Sequence, residues 1–111
     1  MTVPANILQE LIRLSAREAT RRSEFSKKAP TKWNPGEAID PRSGQPYTPV
    51  AAWDRVHAEL VAGCNLKKIP LDKPPGKFGY TFHFLDGANK RVYVKLQIGS
   101  GLVMGRSFHL G

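Results

Sequence analysis

His83, Tyr93, Lys95 and His109 are the side chains of this 111-residue chain that are best suited to acid–base chemistry on a phosphate. Histidine accepts or donates a proton near neutral pH, and lysine or arginine stabilises negative charge on phosphate oxygens. These types suit metal-free RNA cleavage, in which a base takes the proton of a ribose 2'-hydroxyl and an acid protonates the leaving 5'-oxygen.

We expect His83 and His109 to transfer the protons, with Tyr93 as a substitute for either. Lys95 and Arg106 are then expected to clamp the phosphate. The further candidates for contact with RNA or phosphate are Arg91, Ser107, Lys67, Lys68, Lys73 and Lys77. The last two lysines end a Lys-Pro-Pro-Gly-Lys turn that the prolines stiffen, and a stiff surface turn without a ligand is the alternative interpretation.

Alternation of apolar and polar residues predicts the strands that position these side chains. A short apolar piece at 66–71 precedes three longer strands. The predicted inward residues are Phe78, Tyr80, Phe82 and Phe84, then Val92, Val94, Leu96 and Ile98, and finally Leu102, Met104, Phe108 and Leu110. Arg106 breaks the pattern of the last strand.

The register of the hairpins is predicted from parity, because apolar residues of neighbouring strands must share one face. Three-residue loops at 87–89 and 99–101 satisfy this condition. They place His83 opposite Tyr93, Thr81 opposite Lys95, Tyr93 opposite Ser107, and Arg91 opposite His109. Directly paired side chains stand about 5 Å apart, so the sequence predicts one continuous polar patch.

The N-terminal half supplies the elements that cover the sheet. Residues 1–22 are predicted to supply a first helix, with helical spacing from Pro4 onward, and residues 49–63 a second one, capped by Thr48 and closed by Gly63. Between them, 23–48 reads as a Pro-rich loop in which Trp33 and Tyr47 either anchor the loop or stack on bases. The predicted fold is one α+β domain over 1–111, with two N-terminal helices packed on a three- to four-stranded antiparallel sheet in 64–111.

The positive charge is concentrated in the C-terminal half. Residues 1–63 hold nine Lys and Arg against seven Asp and Glu, whereas residues 64–111 hold eight against two. The net charges of these halves, +2 and +6, indicate that the sheet attracts a polyanion such as RNA. Solubility or an acidic protein partner are the alternatives.

No metal or other cofactor is expected. The polar patch has no carboxylate, Asp72 and Asp86 fall in turns, and Cys64 is the single cysteine, which we interpret as a small apolar residue. His57 falls near the buried stripe of the second helix and is interpreted as structural. Apolar runs stay far below the ~20 residues of a membrane span and no secretory signal is present, so we expect a cytoplasmic protein without membrane contact.

The order of elements resembles the RelE-like and barnase-like group of bacterial ribonuclease toxins. Within that group, Tyr93-Val94-Lys95-Leu96 and Ser107-Phe108-His109 resemble segments of MqsR-like mRNA interferases. The resemblance covers 49–111 and leaves the first helix and the Pro-rich loop unexplained. It implies a cytoplasmic toxin that cuts RNA without a metal, on the ribosome or away from it, and that an acidic antitoxin inhibits. It also implies functional roles for Tyr93, Lys95 and His109.

Two other classes of function stay open at this point. The same basic sheet could serve a nonenzymatic nucleic-acid-binding module, or a small inhibitor or anti-defence protein that binds an acidic partner. Polar residues also cover the solvated face of any antiparallel sheet, with or without a function.

Overall fold

The computed structural model describes residues 3–23, 32–71 and 77–111. The helices in these ranges are α1 (Ala5–Ser15) and α2 (Pro49–Val61). The strands are β1 (Arg21–Arg22), β2 (Lys32–Trp33), β3 (Lys67–Pro70), β4 (Phe78–Leu85), β5 (Arg91–Gly99) and β6 (Leu102–Leu110). Glu18–Thr20 and Pro35–Glu37 form short 3-10 turns.

All six strands belong to one sheet. β3, β4, β5 and β6 are neighbours in that order and run antiparallel. The other edge of β6 pairs with both β1 and β2, which run parallel to it. The α+β class is therefore as predicted, but the sheet is mixed and larger than the predicted three or four antiparallel strands.

One hydrophobic core joins the helices to one face of the sheet. Leu11 of α1, Val56 of α2, and Phe82, Val94 and Phe108 of the sheet belong to a single buried cluster. The opposite face of the sheet, called the outer face below, carries neither α1 nor α2. Within the described ranges, no helix is both long and apolar enough to cross a membrane.

Helix α1 is shorter than the predicted 1–22. Its last carbonyl groups need partners other than backbone N–H groups. The Thr20 hydroxyl donates to the carbonyl of Leu14 (2.6 Å), and Arg21 Nε donates to the carbonyl of Ser15 (2.8 Å). These bonds close the helix, and the chain turns so that Arg21 and Arg22 join the sheet as β1.

Helix α2 begins as predicted. The Thr48 hydroxyl accepts a hydrogen bond from the Ala51 N–H (3.1 Å), and Gly63 closes the helix with a positive φ of 80°. Helical spacing predicts one buried face from Trp53, Val56, Leu60 and Val61; the first three are buried, but Val61 is 60% exposed. His57 Nδ1 lies 3.1 Å from the Ser15 hydroxyl and ties α2 to α1, which agrees with its structural interpretation.

The described part of the predicted Pro-rich loop is ordered by contacts with the core. The Trp33 ring stacks on Trp53 with centroids 4.7 Å apart, and Tyr47 is buried against Phe84 and Phe108. Both aromatic residues are therefore anchors, and burial of the Tyr47 ring excludes base stacking on it. The segment also contains β2, which was not predicted.

The β4–β5 hairpin has the predicted register. His83 pairs with Tyr93 and Thr81 pairs with Lys95. The Asp86 carboxylate accepts hydrogen bonds from the N–H groups of Ala88 and Lys90 and so holds the turn. Parity and turn chemistry were sufficient to predict this register, because the residues that fix it are close to one another in the sequence.

The β5–β6 hairpin differs from its predicted register. Gly99 pairs with Leu102, so the loop has two residues, Ser100 and Gly101, with positive φ of 55° and 74°. The one-residue shift places Leu102 and Met104 on the outer face, where apolar residues were not predicted, and Val103 in the core.

A bulge restores the original parity further along β6. Leu96 pairs with Gly105 but Lys95 pairs with Ser107, so Arg106 is the extra residue. Beyond the bulge Phe108 points into the core. His109 lies opposite Tyr93 rather than opposite the predicted Arg91, and Tyr93 no longer faces Ser107.

Candidate functional site

The outer face carries two rows of functional side chains that run across the strands. The first row is His83, Tyr93 and His109. The ring centroids of His83 and Tyr93 are 5.2 Å apart, and those of Tyr93 and His109 are 5.5 Å apart. The second row follows the pairing of neighbouring strands and consists of Lys67, Thr81, Lys95, Ser107 and Lys32. The outer face therefore aligns aromatic groups beside lysines.

A cavity of about 450 Å³ opens where these rows meet over β5 and β6. We call it the β5–β6 cavity. It is lined by Lys32, Tyr93, Lys95, Arg106, Ser107, His109 and Gly111. Five of these seven residues were predicted as site residues, and they come together even though the register of β6 was predicted incorrectly.

Lys32 is the lining cation that the sequence analysis missed. It belongs to a two-residue strand inside the predicted loop and pairs with Ser107. One signal could have revealed it: if Trp33 anchors an extended segment in the core, the preceding side chain must point to the opposite face.

Arg106 reaches the cavity because it occupies the bulge. One of its terminal nitrogens donates to Gln97 Oε1 at 2.9 Å, and Gln97 is itself buried. Gln97 thus orients the guanidinium from the neighbouring strand. Arg106 was predicted to clamp the phosphate, but the bulge that places it there and the contact with Gln97 were not predicted.

The ring of His109 is oriented by the chain that follows it. Nδ1 lies 2.8 Å from the Leu110 carbonyl oxygen. A carbonyl oxygen can only accept, so Nδ1 carries a proton and the neutral ring has its lone pair on Nε2. The next peptide is held in turn, because the Gly111 N–H donates to the Arg91 carbonyl (3.1 Å).

Protonation states differ along the aromatic row. Burial raises the pKa of the Tyr93 phenol, so this group stays protonated at neutral pH. The pKa of His83 is lowered, first by loss of water around the ring and then by the positive charges of Arg91 and Lys67. The neutral imidazole is therefore favoured at His83.

The remaining predicted residues lie outside the cavity. His83 is exposed on β4, and Arg91 bonds the Gly111 carbonyl through Nε (3.3 Å). Lys67 is on the outer face, but the next residue, Lys68, alternates to the other side and places its ammonium over the Phe78 ring. Lys77 is exposed before β4, whereas Lys73 and Asp72 lie outside the described residues.

The described residues provide no evident metal site. No group of three His, Cys, Asp or Glu side chains among them is placed to bind one ion. The Asp86 carboxylate is engaged by three backbone N–H groups. Burial raises the pKa of Cys64 to about 11, so its thiol is protonated at neutral pH.

These features define an α+β protein with a cationic, histidine-containing cavity on the sheet face opposite its two helices. Comparison with protein-family models, curated proteins and solved structures finds no significant match. The geometry of the site therefore carries the functional argument.

Proposed function

We propose that this protein is a metal-independent endoribonuclease that binds RNA on the outer face and cleaves it in the β5–β6 cavity. One observation carries the proposal: a single cavity is lined by three cations, a protonated phenol and an imidazole with an oriented lone pair. Among the described residues no aspartate or glutamate lines it, which disfavours magnesium as the phosphate-binding group.

In the proposed reaction, His109 Nε2 takes the proton of the ribose 2'-hydroxyl. The 2'-oxygen then bonds to phosphorus as the bond from phosphorus to the 5'-oxygen breaks, and the Tyr93 phenol protonates the leaving oxygen. Lys32, Lys95 and Arg106 stabilise the charge on the phosphate. The products are a 2',3'-cyclic phosphate and a 5'-hydroxyl, and His109 returns its proton to the phenolate.

Tyr93 takes the acid role that the sequence analysis assigned to a second histidine. It lines the cavity next to His109, whereas His83 lies one strand further away. Antitoxin control, which the family resemblance implies, and cleavage of RNA on the ribosome or away from it belong to the same proposal. Growth arrest on expression, relieved by an acidic partner, would support them.

The decisive experiment incubates purified protein with RNA in excess EDTA and analyses the ends of the products. We expect cyclic phosphate ends, and a loss of about 100-fold in rate for His109→Ala. Arg17→Ala removes a cation outside the cavity and serves as the control. Intact RNA that binds with a steep salt dependence would instead indicate a nonenzymatic binding module, and a flat salt response would contradict both.

A further inference from the structure

A second basic cluster lies on the outer face beside the β5–β6 cavity. It consists of Lys67 on β3, His83 on β4 and Arg91 on β5, and all three residues are exposed. Lys67 is opposite Thr81, two positions from His83, and Arg91 is two positions from Tyr93, the partner of His83. Such diagonal neighbours are about 7–8 Å apart, within reach of long side chains.

The electrostatics support the grouping. The positive charges of Lys67 and Arg91 both act on the His83 ring. Asp86 is the acidic residue closest to His83 along the chain. It is buried, and its carboxylate accepts hydrogen bonds from the N–H groups of Ile39, Ala88 and Lys90. The cluster is therefore suited to an anionic ligand.

This cluster is too far from His109 to take part in proton transfer at the same phosphate. His83 is on β4 and His109 is on β6, so two strand spacings, about 10 Å, separate their backbones. The Tyr93 ring lies between the two imidazoles, 5.2 Å from one and 5.5 Å from the other. The two groups that move protons in one cleavage must reach oxygens on the same phosphorus, and this separation is too large.

The same separation suits a neighbouring nucleotide. A polynucleotide that leaves the cavity toward β3 crosses the Tyr93 ring and then meets His83 and Lys67. The half-buried Tyr93 ring still has surface on which an unpaired base can stack, whereas the bases of a duplex already stack on one another. The arrangement therefore favours a flexible single strand over a duplex.

We propose that Lys67, His83 and Arg91 form a subsite for the phosphate that flanks the scissile one in single-stranded RNA, so that the substrate crosses the sheet from β6 toward β3. This inference rests on the proposed function, because it takes the β5–β6 cavity as the site of cleavage. It makes His83 a binding residue and not a catalytic one.

A binding experiment tests the subsite without cleavage. Affinities are measured for a 2'-O-methyl dinucleotide and for a 2'-O-methyl oligonucleotide of about eight nucleotides. The longer ligand has a length that single-strand binding domains typically cover. In Lys67→Ala we expect the longer ligand to bind at least threefold more weakly, with a slope of log affinity against log salt that is smaller by about one. Lys68→Ala is the matched control, because the neighbouring lysine on β3 faces the other way. Arg91 is a poorer choice, since it also bonds Gly111.

A cleavage experiment then tests the role of His83. For His83→Ala we expect the loss in kcat/KM on a longer RNA to exceed the loss on a dinucleotide by at least fivefold. Equal losses on both substrates would overturn the subsite and return His83 to the reaction, as would equal binding of the longer ligand by Lys67→Ala and Lys68→Ala. If no RNA is cleaved but Lys67→Ala alone weakens the longer ligand, the proposed catalysis fails and the basic cluster stands as a binding site.

Discussion

At the scale of single residues, the site depends on two groups held in defined protonation states. The Leu110 carbonyl fixes the proton of His109 on Nδ1, and burial keeps the Tyr93 phenol protonated. Both effects arise from the last residues of β6 and the face of β5. A base with a free lone pair thus lies beside an acid that keeps its proton.

Tyr93→Phe tests the acid, because it removes the hydroxyl and leaves the ring. We expect a loss of about 100-fold in kcat in RNA cleavage, the usual contribution of a positioned proton donor. Since burial raises the pKa of Tyr93 above its ordinary value near 10, the wild-type rate should fall on the alkaline side only above that value. Tyr47→Phe, which removes a phenol outside the cavity, is the control, and an unchanged pH profile in Tyr93→Phe would exclude the acid role.

At the scale of elements, the bulge in β6 decides which residues reach the site. The two-residue loop shifts β6 by one position relative to a three-residue loop, and the bulge at Arg106 shifts it by one more, which restores the faces of the strand but not the predicted partners. Gly105 allows this geometry, because a Cβ atom there would lie 2.5 Å from the Trp33 ring. Gly105, which leaves room for the Trp33 ring in the core, is thus the direct chain neighbour of Arg106, which lines the cavity.

Deletion of Arg106 should remove the bulge without changing the faces of β6. Gly105 stays opposite Leu96 and Ser107 stays opposite Lys95, so Phe108 keeps its place in the core. We therefore expect the deletion to cost less than the roughly 3 kcal/mol in the free energy of unfolding that loss of a buried phenylalanine would cost. Arg106→Ala keeps the bulge and should stay within about 1 kcal/mol of wild type, and both variants should lose RNA affinity because both remove the cation. Urea denaturation compares them, and a cost in the deletion as large as that of a lost phenylalanine would contradict the pairing on the two sides of the bulge.

Gly105→Ala tests the approach of Trp33 directly. Because the added methyl group would overlap the indole, we expect a loss of about 1–3 kcal/mol in the free energy of unfolding. Gly36→Ala is the control, since a Cβ atom there meets no heavy atom within 4 Å. Tryptophan fluorescence during denaturation reports both stability and the environment of the ring. Equal stability of the two variants would contradict the close contact.

At the scale of the whole molecule, Asp86 joins the Pro-rich segment to the sheet. Its carboxylate accepts hydrogen bonds from the turn and from the Ile39 N–H at 2.9 Å, and the Ile39 carbonyl accepts one from Gly87 at 2.7 Å. Burial alone would raise the pKa of Asp86, but the three backbone donors and the charge of Lys90 outweigh it and the pKa is lowered. A single carboxylate thus connects segments that are far apart in the chain.

Asp86→Asn should therefore lower the stability in a pH-dependent manner. A lowered pKa in the folded state stabilises the fold above the unfolded value near 3.9, and this contribution is lost as the pH falls through the folded value. We expect a cost of about 2 kcal/mol at pH 7, and a smaller difference from wild type in acid. Asp54→Asn is the control: its ion pair with Arg21 is half exposed on the aspartate side and should contribute less than about 1 kcal/mol. A cost that does not change with pH would contradict this role.

Local patterns in the sequence determined much of this protein. The α+β class, the start of α2 at Thr48 and the β4–β5 register all follow from periodicity, capping and parity, which act between near neighbours. Tyr93, Lys95, Arg106, Ser107 and His109 could be predicted as site residues because alternation alone places most of them on one face.

Only the tertiary structure decided how these residues meet. Trp33 indicates which way Lys32 would point in an extended segment, but the strand itself could not be placed from the sequence, because it forms by parallel pairing with a distant part of β6. The bulge was equally hidden: a shift of one residue reverses the faces of a strand, and the core, through Trp33 and Phe108, selects the register that is kept. Non-local packing therefore placed His109 beside Tyr93 and left His83 one strand further from the cavity.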